Sequence, residues 1–460
     1  MQKVFLYNTA KRQKEEFIPI KENEVGIYSC GPTVYWNQHI GHMYAYTQWG
    51  TLVIFLRYLG YKVKWVMNLT DVGHLTSDAD TGEDKMEKGA AREGLTPWEI
   101  AKKYEKQFIE SLELFNIQKP DVLCRATEHI NEQIDLAKKI ETNGFSYKTE
   151  TGLVFDTSKF KDYAKFANLK LEEMDVGNRV KVDMGKKNPW DFLLWVTNQP
   201  NHIMKWNSPW GVGFPGWHLE CTAMSTKYLG ETFDIHTGGI EHIGVHHTNE
   251  IAQSYGAFGH QTANYWIHNA WLTLKGGEKM SKSLGNGYTA QQLEEMGYEP
   301  LAHKYLVLTS HYRKGLEFSI DSLKSSQIAL FKLRSLLNDW QNGGKIDENY
   351  KKQFIDLMSN DLSTSEALAL VWKLTKDEKI KDEDKKATIL DFDRVFGLDL
   401  NKKIDKEIIP QEILDLVEER KKARESKNWA ESDRLRDLIK ERGYLVEDLK
   451  EECKIRKINK

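Results

Sequence analysis

EVGIYSCGPTVYWNQHIGHMYAYTQWGTLVIFLRYLGYKVKWVM, residues 24–67, carries the alternation on which the fold turns. Glu24–Cys30 reads as a short strand, ended by the turn-prone pair Gly31-Pro32. A helical run follows from about Gly41 to Leu59 and stops at Gly60. Lys62–Met67 then alternates Lys, Val, Lys, Trp, Val and Met, the pattern of a second strand. Strand, helix and strand at this spacing begin a doubly wound parallel sheet.

Downstream, a polar loop is expected from Ser77 to Gly94, and a helix from Pro97 to Asn116 with proline in its first turn. Residues 128–142 read as helix, and Phe145–Tyr147 with Gly152–Phe155 as a small hairpin. The strand–helix rhythm resumes with a helix at Trp217–Leu229, a strand at Phe233–His236, a helix at Val245–Phe258 and a strand at Tyr265–His268. Beyond Tyr298 the pattern is one of amphipathic helices, including Ser319–Trp340, Thr364–Thr375 and Pro410–Arg442. The expected architecture is α/β: a Rossmann-like parallel-sheet catalytic domain split by an insertion, followed by a mainly helical region. Its halves fall at 1–119 and 211–270, with a connective insertion at 120–210. A loop-bearing region at 271–325, a helical bundle at 326–400 and a small C-terminal domain at 401–460 complete the division.

At 460 residues and 40% hydrophobic content the chain can bury a sizeable core, which excludes disorder as its dominant state. No stretch approaches the roughly 18 apolar residues of a membrane helix, and Met1-Gln2-Lys3-Val4 leads into the charged segment Lys11–Glu16 rather than a signal peptide. A cytoplasmic protein without a membrane partner is therefore expected, and no obligate protein partner is indicated. Cys30, Cys124, Cys221 and Cys453 are too scattered for a disulfide framework, so reduced thiols are expected. The net charge of −3 neither implies nor excludes nucleic acid, because counterion release depends on local lysines and arginines.

His39-Ile40-Gly41-His42 lies between the first strand and the first helix, where backbone N–H groups and the helix dipole favour phosphate. Two imidazoles there can donate to a polyphosphate, and Gly41 permits close approach. Lys279-Met280-Ser281-Lys282-Ser283 follows Gly276-Gly277 and sets two cations on a loop able to close over phosphates. Together these segments resemble the paired signatures of class I aminoacyl-tRNA synthetases. The resemblance implies that His39, His42, Lys279 and Lys282 bind ATP and stabilise the adenylation transition state.

Soft thiolates and borderline imidazoles suit Zn²⁺. Cys30 ends the first strand, Cys221 lies on the Trp217–Leu229 helix, and His246 and Glu250 stand four apart on one helix face. These four can supply a tetrahedral site near the carboxyl ends of the strands. By spacing alone His247 or His242 serves as well as His246, and buried thiols beside ordinary helix histidines remain open. Cys30-Gly31-Pro32-Thr33-Val34-Tyr35, Pro215–Cys221, Phe233-Asp234-Ile235-His236 and His246–Gln253 resemble, in order, the characteristic segments of the cysteinyl-tRNA synthetase family. That resemblance spans nearly the whole chain. It implies zinc ligands Cys30, Cys221, His246 and Glu250, substrate contacts from Thr70 and His236 beside a wall at Trp217, and a ribose contact from Glu241. A metal gripping the thiol separates cysteine from serine far better than size, making proofreading unnecessary.

The chain departs from that family at several places. Thr70-Asp71-Val72-Gly73-His74-Leu75 differs from its commoner Thr-Asp-Ile-Asp-Asp-Lys, the acidic loop Asp78–Glu87 is unusual, and His74 is either a surface residue or an added group at the site's edge. Glu241 replaces a common Asp and Thr248 a common Glu.

The acceptor is a separate question, since a ligase that charges an amino sugar would use the same nucleotide and metal residues. A non-enzymatic tRNA-binding protein is a third reading, one that would not need both constellations. The helical appendage from about residue 330 exceeds what a small acceptor requires, and Ala423–Arg436 resembles the family's distal anticodon-recognition region. On that resemblance Arg424, Trp429 and Asp433 contact tRNA; the plainer reading is a charged helix over 423–442 with Trp429 packed inward. The expected substrates are cysteine, Mg²⁺-bound ATP and tRNA(Cys), joined by way of cysteinyl-AMP without a protein nucleophile.

Overall fold

The structure, a computed structural model, describes residues 2–73, 84–169, 185–274, 276–277, 287–404, 411–448 and 453–457. In chain order the elements begin with a hairpin, β1 (Phe5–Asn8) and β2 (Gln13–Glu16), then β3 (Glu24–Ser29), α1 (Ile40–Tyr58) and β4 (Lys62–Leu69). They continue with α2 (Lys85–Glu93), α3 (Pro97–Leu114), β5 (Val122–Arg125), α4 (Ile130–Thr142), β6 (Ser146–Thr149), β7 (Gly152–Phe155), β8 (Phe192–Val196) and β9 (Phe214–Pro215). Then come α5 (Trp217–Leu229), β10 (Phe233–Gly239), α6 (Thr248–Phe258), β11 (Ala263–Asn269) and β12 (Leu272–Leu274). The helical part holds α7 (Ala290–Glu295), α8 (Pro300–Leu308), the short β13 (Leu316–Phe318), α9 (Ile320–Asp339), α10 (Glu348–Ser359), α11 (Thr364–Thr375) and α12 (Asp382–Phe396).

A five-stranded sheet in the order β11-β10-β3-β4-β5 forms the centre, and every pairing in it is parallel. Parallel strands bury both faces, and the side chains alternate accordingly. Ile27, Met67 and Ile267 enter one core with α1, α3 and α8–α12, whereas Tyr28, Val66 and Trp266 enter a second with α4, α5 and α6. The first strand of the sheet, β3, sits between β10 and β4, so the chain leaves it in opposite directions on its two sides. The crevice beyond the carboxyl ends of β3 and β10 is the topological switch point, where doubly wound sheets bind ligands. Cys30 follows β3 there, tied by its N–H to Thr237 O at 3.2 Å.

The strands and helices expected at residues 24–67 form within two residues of their expected ends. Other segments differ. The polar loop expected over Ser77–Gly94 contains α2, begun by Asp84, whose side chain accepts from the N–H groups of Met86 and Glu87, and ended by Gly94 at φ +68°. The helix expected from Val245 starts as a five-residue π turn, Ile243–His247, before α6. β5 lies inside the stretch expected to be inserted, yet it pairs with β4 as part of the parallel sheet. The inserted antiparallel sheet β6-β7-β8-β9 runs past residue 210 to Pro215.

The chain divides into two compact units, Met1–Lys402 and Lys403–Lys460. In the second, the single helix expected over Pro410–Arg442 is two, α13 (Gln411–Glu425) and α14 (Trp429–Glu441), followed by a hairpin of β14 (Tyr444–Asp448) and β15 (Cys453–Lys457). Lys427 at φ +59° breaks the run, and Asn428 caps α14 by accepting from Glu431 N. Ile413, Ile439 and Tyr444 form its small core. Among the described residues no helix is long and apolar enough to cross a membrane.

Candidate active site and metal cluster

A cavity of about 420 Å³ opens at the switch point, lined from several elements, among them residues 30–33 after β3, the start of α1, Thr70 after β4 and Asn269–Leu272 after β11. At its α1 end, His39 is the N-cap: its Nδ1 accepts from Gly41 N at 3.1 Å, while His42 Nδ1 accepts from His39 N at 3.2 Å. A ring nitrogen that accepts carries no proton, so each neutral imidazole holds its proton on Nε2 as a donor. The two ring centroids lie 3.8 Å apart, their planes tilted by 40°, at the positive end of the helix. Glu241 also lines the cavity, and its Oε2 accepts from Trp271 Nε1 at 2.7 Å.

At the other end, Cys30, Cys221, His246 and Glu250 are all buried, and one ligand atom from each lies within 4.8 Å of the others. α5 delivers Cys221 one turn after His218, and the π turn swings His246 so that its Nε2 lies 3.1 Å from Glu250 Oε1. A second group, Cys30, His236, His247 and Glu250, satisfies the same distance and shares two members. Both of its imidazoles face the two shared members, Glu250 and Cys30. His236 Nε2 meets Glu250 Oε2 at 2.9 Å; His247 spans Cys30 Sγ, 3.3 Å from Nε2, and His268 Nε2, 2.7 Å from Nδ1. Thr9 Oγ1 continues that chain to His268 at 2.8 Å. His218 Nδ1 lies 2.9 Å from His246 Nδ1, which leaves Nε2 of His246 toward the cluster. These contacts have the character of outer partners that orient ligands.

The donor set fits a metal. Glu250 Oε1 is buried 3.1 Å from His246 Nε2 without a well-formed hydrogen bond, and a carboxylate oxygen of Glu250 lies within 4.8 Å of both sulfurs. Burial works to raise Cys30, but the hydrogen bond from Cys221 and the histidines 247, 242 and 246 outweigh it and hold this thiol well below its ordinary range. Burial works to raise Glu250 too, and His236 and His246 overcome it, bringing the carboxyl to about 2. Cys221 is pushed well up by burial and by its hydrogen bond with Cys30. Two thiols, one imidazole and one carboxylate match the ligand types of tetrahedral zinc, and the metal would relieve the cost of a second buried anion.

A model described as "tRNA synthetases class I (C) catalytic domain" matches residues 16–328, and one described as "Cysteinyl-tRNA ligase anticodon binding domain" matches 408–456. Cysteine–tRNA ligase 1 of Burkholderia lata is 45% identical over 97% of this chain and 95% of its own. The chain belongs to the cysteinyl-tRNA synthetase family. A cysteine–tRNA ligase of Treponema denticola is 43% identical over 96% of this chain and 97% of its own. Among solved structures, a methionyl-tRNA synthetase of Mycobacterium tuberculosis bound to methionyl-adenylate covers 82% of this chain and 90% of its own. Its TM-score is 0.54 at 15% identity, a likeness of fold alone.

Within this synthetase, His39, His42, Thr70, Trp217, Glu241, Cys30, Cys221 and His246 all line the one cavity. Glu250 stands behind them, and His236, expected to touch substrate, is fully buried off the cavity wall and bonded to Glu250 instead. Lys279 and Lys282 lie outside the described residues, as does His74. Thr70 Oγ1 donates to Glu220 Oε2 at 3.0 Å and accepts from Asn68 Nδ2 at 3.1 Å. In the second unit Trp429 is 57% exposed at the start of α14, against the inward packing of the plainer reading; the Arg424 guanidinium lies 5.9 Å from its ring, and Asp433 pairs with Arg436. Sequence reasoning passed over His218, although its spacing of three from Cys221 on one helix was a signal. It also passed over Asn68, whose Oδ1 accepts from Gly31 N at 2.7 Å, and Lys85 on the cavity wall.

Proposed function

We infer that this chain, an ATP-dependent cysteine–tRNA ligase, selects its amino acid through a zinc ion held by Cys30, Cys221, His246 and Glu250. The observation that carries the reading is the convergence of those four ligand atoms within 4.8 Å, three of them from residues on the cavity wall and Glu250 behind them. Zinc supplies a site that takes the substrate sulfur as thiolate at neutral pH, a bond the harder serine hydroxyl cannot match. His218, His236 and His247 orient the ligands by the hydrogen bonds described above, and Trp217 walls the amino-acid end.

The cysteine carboxylate attacks the α-phosphorus of ATP, giving cysteinyl-AMP and pyrophosphate; a hydroxyl of the terminal adenosine of tRNA(Cys) then takes the acyl group and AMP leaves. Mg²⁺ enters with ATP. His39 and His42 donate to the phosphates from the amino end of α1, Glu241 accepts from ribose hydroxyls, and Lys279 and Lys282 neutralise the departing pyrophosphate. Arg424, Trp429 and Asp433 contact tRNA from the second unit, and the reaction is placed in the cytoplasm. A catalytic domain whose parallel sheet takes in β5 before the antiparallel insertion and resumes after β9, with 271–325 carrying the phosphate loop, 326–400 a helical bundle and 401–460 the anticodon domain, serves that division of labour.

Charging assays with cysteine, ATP and either unfractionated tRNA or amino-sugar acceptors test the acceptor. Acid-labile cysteinyl-tRNA is expected, and cysteine transferred to the sugar alone would refute the tRNA assignment.

A further inference from the structure

The cavity has a charge pattern that neither the histidine pair nor the metal cluster accounts for. Among the described residues that line it, Lys85 is the one lysine or arginine and Glu241 the one carboxylate. Lys85 Nζ lies 5.5 Å from the ring centroid of Trp217, and that ring is 4.4 Å from the ring of His246. The ammonium therefore belongs to the end of the cavity where the metal cluster sits.

Lys85 is held there by a built support. It is the first residue of α2, and Asp84 before it accepts from Met86 N at 2.6 Å and Glu87 N at 2.9 Å. The other oxygen of Asp84 lies 3.0 Å from His202 Nδ1, and Glu87 Oε1 accepts from Ile203 N at 2.6 Å, so the first turn of α2 is pinned to the His202 side chain and the Ile203 backbone. His202 is fixed in turn by stacking on Phe214, 3.8 Å between centroids. Gly73 closes the packing from the other side: a Cβ there would stand 1.8 Å from Asp84 Oδ2. Met86, behind Lys85, is fully buried. The aromatic face of Trp217 favours a cation at this place.

An amino acid whose sulfur is at the cluster and whose carboxylate must meet the α-phosphate carries its negative charge through this part of the cavity. Two anions that have to approach for reaction repel each other, and a preorganised cation beside them is worth far more in a water-poor cavity than in solution. We propose that Lys85 binds the carboxylate of the amino-acid substrate and steers it to the α-phosphate, while zinc reads the side chain. The proposal rests on the zinc reading above and adds a second, independent handle on the same molecule.

Two thiol probes separate the handles: cysteamine, with thiol and amine but no carboxylate, and 3-mercaptopropionate, with thiol and carboxylate but no amine. Their affinities for zinc-loaded full-length enzyme are measured by calorimetry for the wild type, Lys85→Gln and Lys85→Arg, with zinc content determined for each. Lys85→Gln is expected to weaken 3-mercaptopropionate roughly 10- to 100-fold, the scale of a hydrogen bond to a charged group, while cysteamine changes less than about twofold. Zinc content is expected to stay the same, Lys85→Arg to recover most of the loss, and the KM for cysteine to rise more than the KM for ATP. Equal weakening of both probes, or of neither, would overturn the role of Lys85. A wild type that binds cysteamine equally well with and without zinc would instead refute the zinc reading, and this proposal with it.

Discussion

The exchange of one sulfur for oxygen at Cys221 is the smallest change that reaches the chemistry. Cys221→Ser keeps the shape but replaces a soft ligand, and it is expected to lower zinc occupancy and the preference for cysteine over serine together, measured by metal analysis and by ATP–pyrophosphate exchange. One contact outward, His218 faces the ring nitrogen of His246 that the cluster does not use. Its removal in His218→Ala is expected to weaken zinc binding about 10- to 100-fold while the helices stay intact, read by chelator competition and circular dichroism. Far from the site, Lys304 is buried and donates to Asn116 O at 2.6 Å. Burial lowers its ammonium to about 7, with Asp393 opposing. From there up to its ordinary value near 10.5 the unfolded chain holds a proton that the folded chain does not, so stability gains as pH rises, by at most about 1.4 kcal/mol per unit. Chemical denaturation should show wild type gaining on Lys304→Met between pH 7 and 10, and a constant gap would contradict this. Cys30, Cys221 and Glu250 were legible in the sequence as candidate ligands. The choice among His242, His246 and His247 was not, because it depends on a π turn that offsets the ordinary helical spacing, and spacing is all a sequence offers.

α2 shows why an element can hide. The residues before it, 77–84, are mostly acidic or small, and its own buried face is short, Met86, Gly89 and Ala90, with a single large apolar side chain to mark it. Asp84 with Glu87 three residues on was the available start signal, and Gly94 the stop. Asp84→Ala removes that cap and the link to His202. It is expected to cost about 1 kcal/mol or more of stability, seen as a lower Tm, and to raise the KM for cysteine because Lys85 loses its fixed base. The parallel strands were legible for the opposite reason. Short segments rich in β-branched and aromatic residues mark β3, β4 and β11, with alternation at the start of β4, and β10 is marked by Phe233 and Ile235 ahead of its two glycines. The break between α13 and α14 has no glycine or proline, and a left-handed lysine leaves no mark in composition; Asn428 three residues before Glu431 was the available start signal.

At the scale of the molecule, the division at Lys402 separates two kinds of work. Met1–Lys402 contains the cavity and the metal cluster with their own extensive core, whereas Lys403–Lys460 has a small core and an exposed tryptophan. A chain ending at Lys402 is therefore expected to retain cysteine-dependent ATP–pyrophosphate exchange and to lose roughly 10- to 100-fold in kcat/KM for tRNA, the scale of one or two lost base contacts. Full charging efficiency from the truncated enzyme would move tRNA recognition into the first unit. On the proposed reading the first unit selects a thiol amino acid, and that selection rests on zinc. ATP–pyrophosphate exchange with cysteine and with serine, run on enzyme as purified, stripped by chelator and reloaded with zinc, measures it. Exchange with cysteine should fall and recover with zinc content while serine stays inactive throughout; undiminished selectivity for cysteine in the metal-free enzyme would contradict the reading.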